Sequence, residues 1–289
     1  MKIIFATHAY HKDWRIVLHP LRLKKIIESH QYPFDEKLLV INNIHDHERG
    51  SIEKKCRDLL KRGIVSRVLF VDRYLTDEVL ESFRLEPEFF WKHNPYFSTA
   101  QLTALHFAQS LEADYLLHMA GDVWLERCTP WIPPAIDAFE KECDHRTVGF
   151  NLCRNIYRNH YPIWSHEETE SFWLSHPGTM KGDQEFGRGF SVSDHSYILS
   201  LKKIDFDFSS SLENFQSYHN FWPDYATPCF EMYFKNFLDR KSLQYAALKP
   251  NKNAPITKHK NFSPNQWKNL LYLLLGKYTK GAYASKCSS

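Results

Sequence analysis

The first 120 residues hold four short apolar runs of strand length, separated by longer segments with helical spacing of their apolar residues. Few folds accept such a chain. Residues 2–7 (KIIFAT), 37–42 (KLLVIN), 67–72 (RVLFVD) and 115–119 (YLLHM) are the runs. Near-continuous apolar character, rather than alternation, marks a strand covered on both faces. Between the runs, residues 16–29 place Ile16, Val17, Leu21, Leu23, Ile26 and Ile27 at helical spacing, with Pro20 breaking or kinking the first part. Residues 51–62 read as a helix capped by Ser51, and residues 76–83 and 98–111 as two more. An aromatic loop through Pro87, Trp91 and Pro95 separates those two. The alternation predicts an α/β fold, with right-handed crossovers, a mostly parallel sheet and helices on both faces.

After Asp122 the pattern changes. The sequence predicts a helix near 135–142, a strand over 147–152, and a strand followed by a turn within 190–201. Thr227 as cap and Pro228 at the first position open a helix over 229–238. A last strand over 245–248 and a C-terminal helix over 264–278 follow. Residues 154–188 and 206–225 are polar, aromatic and irregular.

Composition excludes several classes. Net charge is +3, from 37 basic and 34 acidic residues, too balanced for a nucleic-acid partner. The 21 Phe, 15 Tyr and 8 Trp supply core, and also flat faces that stack on sugars and bases. The six cysteines form no Cys-x-x-Cys pair and no zinc spacing, so they read as reduced and mostly buried, as in the cytoplasm. No leader segment is expected at the N-terminus, and the apolar run at 270–275 is too short to span a bilayer.

Within this frame the stretch 112–126 (EADYLLHMAGDVWLE) carries the chemistry. It ends a buried strand and breaks at Gly121-Asp122. An acid there is fixed by the strand and faces the crevice where sheet ends open. The alternative is an ordinary Gly-Asp turn.

The order of elements through this stretch resembles a GT-A glycosyltransferase of the family 2 type, over roughly the first 125 residues. Ala120-Gly121-Asp122 matches the second acid of that family's Asp-x-Asp signature and departs at the first, where this chain has Ala120. The resemblance implies a three-layer α/β/α fold. Residues 1–125 would form the nucleotide-sugar half and 126–289 the irregular acceptor half of one globule. It implies a hexosyl-type transfer from a nucleotide-sugar to a hydroxyl of a glycan or lipid-linked saccharide, as in polysaccharide biosynthesis. It also implies a divalent cation, Mn2+ or Mg2+, held by Asp122 and a late His259. Ala120 weakens the expectation of metal. Thr7, Asn42, Asp72 and Asp122 would meet the nucleotide, against the plain reading of strand-end residues bonding their own turns. Lys258 and Lys260 would be alternative counter-charges for the diphosphate.

Glu231, in the first turn of the helix after Pro228, would act as general base, giving inversion. An acid there also simply suits the helix dipole. The loop 182–189 would be an acceptor lid, with Asp183 and Glu185 as spare bases, or a plain turn. His45-Asp46-His47 is discounted as a metal site because neighbouring side chains do not converge. Asp194-His195 lacks the rest of a hydrolase motif. Trp164, Trp173 and Trp222 would shape the acceptor pocket, and the C-terminal helix would rest on an anionic membrane or pack on its own domain. Two alternatives stay open: a nucleotidyltransferase, which would want a Gly-rich basic loop after the first strand, and an inactive carbohydrate-binding relative.

Overall fold

The computed structural model describes residues 1–93, 98–125, 128–154, 186–189, 192, 196–202, 204–209, 229–248 and 256–259. In chain order, β1 (Ile3–Ala9) is followed by α1 (Trp14–Val17) and α2 (Pro20–Glu28). Then come β2 (Glu36–Ile41), α3 (Asp46–Lys61) and β3 (Arg67–Phe70). Three short helices follow, α4 (Val71–Tyr74), α5 (Asp77–Ser82) and α6 (Pro87–His93), and then the longer α7 (Thr99–Ser110). β4 (Tyr115–Met119), β5 (Val123–Leu125) and α8 (Ile132–Glu142) lead into the second half. That half supplies β6 (Thr147–Asn151), β7 (Cys153–Arg154), β8 (Phe186–Gly189) and β9 (Ser196–Ser200). It closes with α9 (Phe230–Arg240), β10 (Gln244–Leu248) and β11 (Ile256–His259).

One eight-stranded sheet runs in the order β3-β2-β1-β4-β9-β6-β10-β8. β1 lies parallel to β2 and β4, β2 to β3, and β6 to β10. β9 is antiparallel to β4 and β6, and β8 to β10, so six of the eight strands share a direction. Alternate residues of each buried strand face opposite layers. Ile3 and Phe5 of β1 pack with α1, α2, α3 and α8, while Ile4 and Ala6 pack with α5, α7 and α9. The expected three-layer α/β arrangement with a mostly parallel sheet is the one the chain adopts.

The far layer is dense with rings. Phe230, Phe234 and Phe237 of α9 meet Phe206, Phe208 and Tyr245 at centroid separations from 5.5 to 6.3 Å. Each such side chain contributes about 1.5–3 kcal/mol on burial, so the roll and height of α9 are closely set. Asp207 pins its other end, accepting from Arg240 at 3.2 Å and from Arg84 at 3.2 Å. Burial opposes ionisation of Asp207, but hydrogen bonds from Ser209 and Arg240 outweigh it and hold the carboxyl well below its usual range.

Several expectations need correction. α3 begins at Asp46, with His45 before it, so Ser51 lies inside the helix and does not cap it. Asp46 and Glu48 in the first turn suit the helix dipole, and that start was hidden by the polar look of the segment. β3 stops at Phe70, which puts Asp72 in α4. Residues 87–93 are helical and not loop. Pro20 is the first residue of α2, so it divides two helices where a kink was the other choice. Residues 186–189 form β8 at the sheet edge, paired with β10, which removes them from any lid. Asp183, Glu185, Asp194, His195, Trp164, Trp173, Trp222 and the helix expected over 264–278 lie outside the described residues.

Cys56 and Cys143 are free thiols, and Cys56 and Cys229 are buried. Cys128 is disulfide-bonded, which overturns the expectation that all six are reduced and removes the ground for a cytoplasmic reading. Among the described residues no helix is long and apolar enough to cross a membrane.

His30, fully buried, ties α2 to the end of β4 and to α8. Its Nδ1 accepts from the Trp131 indole at 3.1 Å, and its Nε2 lies 3.0 Å from the Met119 sulfur. Burial pushes its pKa from 6.5 down to about 3. The unfolded chain therefore takes up a proton that the folded chain refuses. Stability from this group is complete above about pH 6.5 and falls by roughly 1.4 kcal/mol per pH unit below it, down to the folded value. Melting temperature should drop on acidification through that window, and His30→Gln should show a shallower slope in a pH series of thermal melts.

Candidate active site

From β1 the chain builds β2 and β3 to one side and places β4 on the other. The order reverses between β1 and β4, and open α/β sheets hold ligands beyond the carboxyl ends of strands at such a point. The antiparallel β9 starts at that same edge, because Met119 pairs with Ser196 and His118 with Tyr197.

The turn after β4 lies directly on the segment that leaves β1. A Cβ built on Gly121 would sit 2.3 Å from the His8 carbonyl oxygen and 2.8 Å from Val17 Cγ2. Only glycine permits that approach. Arg22 of α2, buried, donates to the Gly121 carbonyl and braces the turn from behind. Asp13, also buried, accepts from the Tyr10 backbone N–H at 2.8 Å. Burial pushes Asp13 up to about 8; the Tyr10 N–H opposes this, the Asp122 charge adds to it, and Arg22 opposes it again. Asp122 therefore sits at the mouth of the crevice, close to a neutral Asp13.

Behind Asp122 a row of polar rings leads across the sheet. His8 Nδ1 and His118 Nε2 are 3.3 Å apart. The His118 ring lies 4.9 Å from that of Tyr197, which in turn lies 6.2 Å from that of Phe230, the first residue of α9. Burial lowers the pKa of His8, against the pull of Asp122, and lowers that of His118 further, with His8 adding to it. Both imidazoles are held neutral. Burial raises the Tyr197 phenol, with a smaller contribution from the Glu231 carboxylate. Glu231 is 7 % exposed and lies in the first turn of α9.

The expected site residues divide accordingly. Asp122 and Glu231, 109 positions apart by their numbering, come to one end of the sheet, linked through His8, His118 and Tyr197. Thr7 is buried within β1, opposite Leu39 and Met119, because the strand runs on to Ala9. Asn42 lies at the end of β2, where its Oδ1 accepts from Thr99 at 3.0 Å. Asp72 is exposed and paired with Arg49. In a second, three-stranded sheet β11 pairs with β5, setting His259 opposite Val123, the residue after Asp122. Among the described residues no three of His, Cys, Asp and Glu are placed to hold a metal ion. His45 and His47 stand near His11, with ring centroids 4.8 Å (His11–His45) and 5.4 Å (His45–His47) apart, outside this row.

Sequence reasoning missed His8, His118, Tyr197, Asp13 and Arg22. His118 was visible as the one polar residue in an apolar run, and His8 as the start of a polar loop. Asp13, Arg22 and Tyr197 gave no local signal, since only the tertiary fold brings them to Gly121 and Glu231.

No protein-family model matches the chain, and no curated protein does. Solved structures similar to it include mouse xyloside xylosyltransferase 1, at 12% identity and a TM-score of 0.42 over 90% of this chain and 98% of that one. Glucosyl-3-phosphoglycerate synthase from Mycobacterium tuberculosis, in complex with Mn2+, uridine diphosphate and glucosyl-3-phosphoglycerate, aligns at 11% identity and a TM-score of 0.44 over 95% and 77%. The galactosyltransferase LgtC with donor and acceptor sugar analogs aligns at 12% and 0.40 over 86% and 73%. Likeness at this level carries nothing about the activity of this chain.

Gly121→Ala should shift the turn, because its new methyl meets the His8 backbone oxygen first and the Val17 side chain next. The expected loss is about 1–3 kcal/mol of stability, read as a lower melting temperature, together with weaker binding of any ligand that Asp122 holds.

Proposed function

We propose that this chain is a glycosyltransferase that moves a sugar from a nucleotide-sugar donor to a hydroxyl acceptor, with inversion. The observation that carries the reading is that two acids from distant segments lie toward one end of one sheet, where β4 ends and β9 begins. Asp122 comes from the end of β4, and Glu231 from the start of α9.

In this reading the nucleotide lies over the ends of β1 and β2, near Asn42, with its diphosphate at the Gly121-Asp122 turn. Thr7, inside a strand, and Asp72, paired with Arg49, take no direct part. The acceptor oxygen attacks the anomeric carbon as the bond to the diphosphate breaks. Glu231 takes the hydroxyl proton, and the nucleoside diphosphate leaves with the bonding pair. Asp122 and His259 would hold a divalent cation, which neutralises charge on the leaving diphosphate when bound. The support for that pair is the β5–β11 pairing, which sets His259 beside the Asp122 turn. With Ala120 in the chain, a cation here would take its remaining ligands from phosphate and water. The neutral imidazoles of His8 and His118 add no charge that would compete with it.

Ala120 packs partly buried against the near core layer, which favours the alternative of a carbohydrate-binding protein without turnover. The two separate in one set of measurements. Calorimetric titration with uridine, guanosine and other nucleoside diphosphates, with and without Mn2+, should give binding that Asp122→Asn weakens by about tenfold or more, the loss of one charge-assisted contact. Absence of binding in every case would sink the proposal. Glu231→Gln should keep the nucleotide affinity and slow donor consumption by roughly 10²–10⁴. Nucleotide binding with no turnover by the wild type would leave the binding-only alternative standing.

A further inference from the structure

His8 and His118 come from neighbouring strands, and their rings lie nearly parallel, at 17°. Tyr197, from β9 on the other side of β4, stacks on His118 at 19°. The His118 ring is thus held flat between its neighbours. His8 Nδ1 and His118 Nε2 share one hydrogen bond at 3.3 Å. The outer nitrogens differ. His118 Nδ1 is sealed from solvent and has no partner among the described residues. His8 is half-buried, and its Nε2 is neither hydrogen-bonded nor sealed among those residues, so that edge of the ring is open. Burial keeps both rings neutral, so each carries a single N–H. Two arrangements satisfy the shared bond. If His8 Nδ1 donates, the His118 proton must sit on the sealed Nδ1, a buried donor without an acceptor. Native interiors keep an orphaned N–H less readily than a bare acceptor. If His118 Nε2 donates, only a lone pair is sealed, and the His8 proton sits on the open Nε2.

We propose that His118 locks His8 as an Nε2–H donor, and that this N–H binds a phosphate oxygen of the ligand at the Gly121-Asp122 turn. The turn rests on the His8 carbonyl, which puts the open ring edge at the same end of the sheet. A neutral donor suits that place. It bonds a phosphate oxygen without bringing positive charge to a site where a cation would bind. The opposite tautomer would present a lone pair to the phosphate and repel it. His118 does not meet the ligand; it is a positioning residue that acts through His8. The identity of the ligand rests on the glycosyltransferase reading above; the tautomer does not.

The protein without ligand tests the lock. In histidine-selective 15N spectra near neutral pH, with signals assigned through His8→Gln and His118→Gln, both rings should show a protonated Nε2 and a bare Nδ1. A protonated Nδ1 on either ring would overturn the proposal. Calorimetric titration with uridine diphosphate and with inorganic pyrophosphate, each with Mn2+, tests the contact. His8→Phe should weaken both by about tenfold, the loss of one hydrogen bond to a charged oxygen. His118→Met should weaken both, because His8 is then free to take the other tautomer, while His118→Gln, whose amide can still donate, should bind as the wild type does. The double variant should bind no worse than His8→Phe alone; a further loss would mark His118 as merely structural and overturn its role. Loss on uridine diphosphate with pyrophosphate unchanged would take the contact off phosphate and overturn that assignment. Unchanged binding by His8→Phe would overturn the contact and leave the transferase reading intact. A wild type that binds neither probe would sink that reading and the contact together, and the spectra would still decide the lock.

Discussion

The approach of Gly121 to the His8 carbonyl is the constraint on which the rest of the candidate site depends. Two parallel strands, β1 and β4, lie side by side through the middle of the sheet. Their ends would diverge into separate loops if the turn after β4 carried a side chain. Without one, the turn rests on the backbone of β1 and on Val17, and Arg22 bonds it from the helix behind. Asp122 is thereby held over the switch point of the sheet by backbone contact, which is stiffer than any side-chain contact at the surface.

Electrostatics build on that geometry. Burial, with a smaller contribution from the Asp122 charge, leaves Asp13 neutral near physiological pH. The imidazoles that follow are neutral chiefly because they are buried, in His8 against the pull of Asp122.

The second acid depends on a different layer. Glu231 is placed by the ring packing of α9 against Phe206, Phe208 and Tyr245, and by Asp207 at the far end of the helix. The antiparallel β9 couples the two layers, because only a strand running against β4 can bring its first residues to the end of β4. Tyr197 occupies that position. The distance between the two acids is thus set by strand pairing on one side and aromatic packing on the other.

The sequence by itself determined the first four strands with helices between them, the strand that ends before Gly121-Asp122, and a helix through Glu231, although Cys229 and not Thr227 caps it. Each is a matter of local period and of turn chemistry, which a chain carries in its neighbours. It misjudged where α3 starts and where β3 stops, because polar first turns and short helices have weak periods, and it could not see a disulfide at Cys128. Only the tertiary structure decided that β9 enters the sheet beside β4, that β11 sets His259 opposite Val123, and that Asp13 and Arg22 close on the turn. Those contacts join residues far apart in the chain. No periodicity records them, and they exist only once buried strands have chosen their neighbours.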